Sequence, residues 1–132
     1  MTHLFSFVTD RFDPAKERPN DINPIAGEAV LHWLRARLLA LGYATTMPAM
    51  EDWGWYVDSE SRTASYMIGS NGDPETGPDI VWMIQIDKHR SLADRLFGRN
   101  RLESTDELSE AVERLLRGEA DFRDLSVERD ER

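Results

Sequence analysis

Between Trp53 and Asp87 apolar side chains recur on every second residue in three separate runs, and no other feature restricts the fold as strongly. In WGWYVDS (53–59) Trp53, Trp55 and Val57 share one side; in TASYMIG (63–69) Ala64, Tyr66 and Ile68 do. In DIVWMIQID (79–87) the shared side carries Ile80, Trp82, Ile84 and Ile86. A period of two is strand geometry, so three half-buried strands are expected. SESR (59–62) is short enough for a hairpin and SNGDPETGPD (70–79) is rich in turn formers, which makes an antiparallel meander the economical arrangement. A fourth strand is expected earlier, at the short aromatic run LFSFV (4–8).

Two helices complete the pattern. Asn23 followed by Pro24 reads as a helix start and Gly42 as its stop, with Ala26, Val30, Leu34, Leu38 and Leu41 at three- and four-residue spacing. Glu28, His32 and Arg35 fall on the opposite, wetter side. In STDELSEAVERLLRG (104–118) Ser104 and Glu107 have capping-box spacing, Leu108, Ala111, Val112, Leu115 and Leu116 form an apolar stripe, and Gly118 ends it. The order is β-α-β-β-β-α. The expected fold class is therefore α+β: two layers, a four-stranded mostly antiparallel sheet with two helices on one face. Its other face, bearing Tyr56, Met67, Val81, Met83 and Gln85, is only partly apolar.

At 132 residues the chain suits a single α+β domain, expected over 1–127, with a charged disordered tail at 128–132. It has no cysteine, which excludes disulfides, thiol nucleophiles and cysteine-bound zinc. The first residues, MTHLFSFVTDRF, carry neither a basic leader nor a long apolar stretch, so a soluble cytoplasmic protein without a membrane partner is expected. The net charge of −9 makes nucleic acid an unfavourable partner and a basic protein a natural one. That charge is unevenly spread. Residues 44–87 carry 8 acidic side chains against Arg62 alone, whereas residues 88–102 carry Lys88, Arg90, Arg95, Arg99 and Arg101 against Asp94.

Motifs for catalysis are missing. His3, His32 and His89 are scattered, outside any hydrolase-like or zinc-binding spacing, and no catalytic, metal or cofactor residue is assigned. Asp10, Asp13 and Asp21 do not match a calcium loop and read as a solvated turn. The loop at 70–79 lacks the lysine and hydroxyl of a phosphate loop and carries Asp73, Glu75 and Asp79, which repel an anion. In EDWGWYVDSE (51–60) the neighbouring carboxylates Glu51 and Asp52 are expected on opposite faces of a strand, which prevents joint action. Gly54 marks either a bulge or a binding notch between Asp52 and Tyr56.

The segments NPIAG (23–27), EDWGWY (51–56), QIDKHRSLADRLFGRN (85–100) and FRD (122–124) together resemble a family of small uncharacterised bacterial proteins, to which no activity is attached. The small acidic α+β build is also similar in class and size to bacterial toxin-immunity proteins, which implies inhibition by binding. The expected function is protein–protein binding, as an immunity-type inhibitor or regulator. The expected surface is Asp52, Gly54 and Tyr56, with Arg90, Arg95, Arg99 and Arg101 as a second, separate contact. Two alternatives remain open. One is a small-molecule binder or enzyme with a pocket between the first helix and the sheet at Glu51, Trp53 and Trp55; the other is a homodimer joined through the partly apolar sheet face.

Overall fold

A computed structural model describes residues 2–72 and 80–129. Its strands are β1 (Thr2–Val8), β2 (Ala44–Thr45), β3 (Ala49–Glu51), β4 (Gly54–Glu60), β5 (Ser65–Gly72), β6 (Val81–Lys88) and β7 (Arg123–Arg129). Its helices are α1 (Glu28–Ala40), α2 (Leu92–Phe97) and α3 (Glu107–Arg117), with a 3-10 turn at Pro14–Lys16. The expected four-stranded sheet with two helices is thus incorrect: one seven-stranded antiparallel sheet forms, with three helices.

The strand order is β2-β4-β5-β6-β1-β7, with β3 beside β2 on the same edge of β4. The meander β4-β5-β6 lies at the centre, where alternation places it. Three additional strands come from weaker signals. β2 and β3 are one edge strand interrupted at Thr46, Met47 and Pro48, because proline cannot donate to a ladder. β7 pairs with β1, placing Val127 opposite Phe5, and its charged residues suit an edge that must not recruit other chains. This strand runs to Arg129, two residues into the stretch expected as a disordered tail; residues 130–132 lie outside the described residues, as does most of the loop at 70–79.

One face of the sheet forms the core. Phe5, Phe7, Trp55, Val57, Ile68, Trp82, Ile84 and Ile86 are fully buried, joined by Val30, Leu31, Leu34 and Leu38 of α1 and by Leu108, Val112 and Leu116 of α3. Burying side chains of this size contributes about 1.5–3 kcal/mol each, which makes this cluster the main support of the fold. α1 begins at Glu28, four residues after Pro24, where the sequence suggested a start. The chain first bridges Ala26 to Gly72, and the Glu17 carboxylate then accepts from the amides of Gly27, Glu28 and Ala29 at 3.0–3.2 Å. Burial pushes that carboxyl up, against the three amides holding it down.

The cap of α3 also differs from expectation. Asp106, not Ser104, is the N-cap, and its Oδ1 accepts from Ser109 N at 3.1 Å. A true capping box occurs instead in α2: Ser91 Oγ accepts from Asp94 N at 3.0 Å, and Asp94 Oδ2 accepts from Ser91 N at 3.1 Å.

Candidate functional site

Asp52 and Trp53 form the two-residue turn between β3 and β4, so Asp52 is exposed at the hairpin tip and is not a strand residue beside Tyr56. Its carbonyl accepts from Asn23 Nδ2 at 2.8 Å, while Asn20 Nδ2 donates to the carbonyls of Glu51 and Gly54 at 3.0 and 2.8 Å. These amides fasten the loop before α1 to the hairpin. Gly54 is buried with φ +146°, and a Cβ there would overlap the Ser70 carbonyl oxygen. The position is therefore filled by the β5 backbone and leaves no notch for a ligand.

The two tryptophans part company. Trp55 lies in the core, its Nε1 donating to Ile25 O at 3.1 Å and the Arg18 guanidinium covering its ring at 5.0 Å. Trp53 lies on the opposite, open face. A Cβ on Gly69 would meet the Trp53 ring at 2.5 Å, so the indole rests on the bare backbone of β5. Gly69 pairs with Tyr56 on one side and Gln85 on the other, which puts Trp53, Tyr56 and Gln85 on one patch. Glu51, Trp53 and Trp55 consequently do not converge, and the residues that meet between α1 and the sheet are core side chains.

Residues 88–101 behave differently. The segment is anchored at both ends, by Lys88 at the end of β6 and by Leu102, which is 3 % exposed. Between these anchors α2 projects with no buried residue. Leu92, Leu96 and Phe97 are 74, 72 and 73 % exposed. Local bonds nevertheless hold the helix. Beside the capping box, Gly98 ends α2 in the left-handed conformation at φ +66°, and Arg99 N donates to Asp94 O at 2.8 Å. The Arg90 guanidinium closes the C-terminal end, Nη2 donating to Asp94 O at 3.1 Å and Nε to Arg99 O at 3.0 Å. Asn100 and Ser91 hold the Asp94 carboxyl below the usual carboxylate range.

Beneath α2 lies an open basin of about 710 Å³. Met67 and Asp87 form its floor, and residues 88–91 with Arg95 form its walls. Of the four arginines expected as a contact, Arg90 and Arg95 are brought together here. Arg99 stands apart over the Phe97 ring at 5.3 Å, and Arg101 is exposed beyond it. Lys88 turns inward, its Nζ 3.7 Å from Asp106 Oδ2, while Asp87 accepts the Thr2 hydroxyl. This end of the sheet is the far end from Asp52, separated by the length of β4, roughly 20 Å for seven residues.

Two buried polar groups escaped the sequence reading. His3 Nδ1 lies 2.7 Å from Ser109 Oγ, joining β1 to α3. Both residues are 0 % exposed, so this Ser–His pair has no access to a substrate and acts as a structural tie. Tyr66 OH donates to Asp106 Oδ2 at 2.9 Å, and burial together with that bond pushes the hydroxyl well up. No sequence spacing signals either contact, because the partners are 106 and 40 residues apart. Among the described residues no three His, Asp or Glu side chains are grouped so as to hold a metal, and no helix is long and apolar enough to cross a membrane. Comparison with protein families, with curated proteins and with solved structures finds no match for this chain.

Proposed function

We propose that the protein acts by binding another protein, as an inhibitor or regulator of immunity type, and that α2 and the basin beneath it make the contact. The observation that carries this reading is the exposure of Leu92, Leu96 and Phe97 on a helix that its own caps hold in place. Large apolar side chains left in water forgo about 1.5–3 kcal/mol each, and a contiguous group of them on a soluble domain marks an interaction surface. The other large exposed apolar residues are Ile22, the pair Leu39 and Leu41 at the end of α1, Met47 and Val81, so no other segment gathers three of them. A capped helix also loses little freedom on docking, so most of the apolar gain remains available for affinity.

The acidic hairpin is the weaker candidate. Asp52 and Tyr56 occupy different settings, and the space at Gly54 is taken. A catalytic reading is disfavoured by the sealing of His3 and Ser109. The test is to place a photo-crosslinking amino acid at position 96 or position 56 and irradiate cells of the source organism. The reading predicts a discrete protein adduct from position 96 and none from position 56. Adducts from position 56 alone, or from neither, overturn it.

A further inference from the structure

The chemistry of the partner can be taken one step further, on the basis of the contact proposed above. Residues 88–101 carry five basic side chains and one acid, a net +4, within a chain of net −9; the remainder therefore carries −13. The arginines flank the apolar stripe. On α2, Leu92 and Leu96 are one turn apart, Phe97 extends the stripe to one side, and Arg95 borders it on the other, toward the basin.

We propose that the basin takes carboxylates of an acidic amphipathic segment of another protein, whose apolar side chains lie on Leu92, Leu96 and Phe97. Arg95 is exposed and available as a bidentate fork, and Arg90 presents a guanidinium already fixed by two carbonyls. Asp87 lowers the positive charge of the basin without cancelling it, since Lys88, Arg90 and Arg95 line the same basin.

Two other occupants fit less well. A second copy docked α2 against α2 sets a +4 segment against an identical one, which opposes a symmetric dimer. An anionic lipid surface is flat, whereas the basin is concave.

The full chain is titrated with three probes by fluorescence anisotropy or co-sedimentation: a labelled helical peptide with a leucine stripe flanked by glutamates, its lysine-for-glutamate counterpart, and phosphatidylglycerol vesicles. The acidic peptide is expected to bind, with affinity falling about tenfold or more on Arg95→Glu and again on Leu96→Ser/Phe97→Ser. Raising salt from about 50 to about 300 mM weakens it further. Arg95 supports α2 through its backbone amide, which donates to Ser91 O at 3.1 Å and which Arg95→Glu retains, so unchanged helix content in that variant separates lost binding from lost folding. Equal binding of the lysine peptide, insensitivity to Arg95→Glu, or binding of vesicles alone overturns the inference. Failure of the acidic peptide with a protein adduct still formed at position 96 overturns the partner chemistry and leaves the contact standing; failure of both removes the two together.

Discussion

The carbonyl oxygen of Ser70 is approached from both sides by glycine. A Cβ on Gly27 would lie 2.5 Å from it and a Cβ on Gly54 closer still, with φ at +151° and +146°. Each position thus combines a backbone conformation that side chains avoid with space already occupied. Gly54→Ala is expected to cost about 2–4 kcal/mol in chemical denaturation, from strain and overlap together. Gly42, with φ +95° and nothing within 4 Å of an added methyl, supplies the control. Its alanine variant bears the conformational penalty alone, about 1 kcal/mol. Equal losses at the two positions would show that the Ser70 contact contributes nothing. The sequence reveals Gly54 as unusual within a strand pattern, but not what occupies its missing side chain. The placement of Trp53 was hidden for a related reason. The tryptophan falls in the turn, not in the strand, so alternation counted from it assigns the wrong face, and Gly69 is what lets the ring settle there.

At the scale of elements, the legible parts are those whose burial imposes a period. β1, β4, β5 and β6 alternate because one face meets the core, and α1 and α3 show apolar stripes for the same reason. β2, β3 and β7 are edges, where short length, proline and charge replace the pattern. The edge strand β7 is held by side chains as well as by its ladder. Arg129 Nη2 lies 2.6 Å from Glu113 Oε1, and Arg117 Nε lies 2.8 Å from Glu113 Oε2. Hydrogen bonds from Arg117 and Arg129 hold the Glu113 carboxyl below its ordinary value of 4.5. A carboxylate with a lowered folded pKa contributes in full above pH 4.5 and loses its contribution as pH falls through the folded value. Amide protection at Leu125 and Val127 is expected to drop over that range, and to lose most of this pH dependence in Glu113→Gln. A second element-level prediction concerns Asp106, which caps α3 and accepts from Tyr66 OH. Asp106→Ala removes the cap and strands a buried hydroxyl, for an expected loss of about 2–3 kcal/mol in denaturation. A loss below about 0.5 kcal/mol would show that neither bond supports the fold.

For the whole molecule, one core shared by the sheet, α1 and α3 is accompanied by a helix, α2, that contributes no residue to it. The arginine run was visible in the sequence. What was not visible is that α2 buries none of its residues, since an apolar pair at helical spacing reads the same whether buried or presented to solvent. The central claim is that this helix is the contact surface and not part of the support. It is tested most directly by comparing the wild type with Leu92→Ser/Leu96→Ser/Phe97→Ser in two readings, thermal unfolding and quantitative affinity capture from the native lysate. The account predicts a Tm within about 2 °C of the wild type, because exposed side chains contribute little to stability, together with loss of the captured protein. Undiminished capture by the variant, or a fall of about 8 °C or more in Tm, would contradict it.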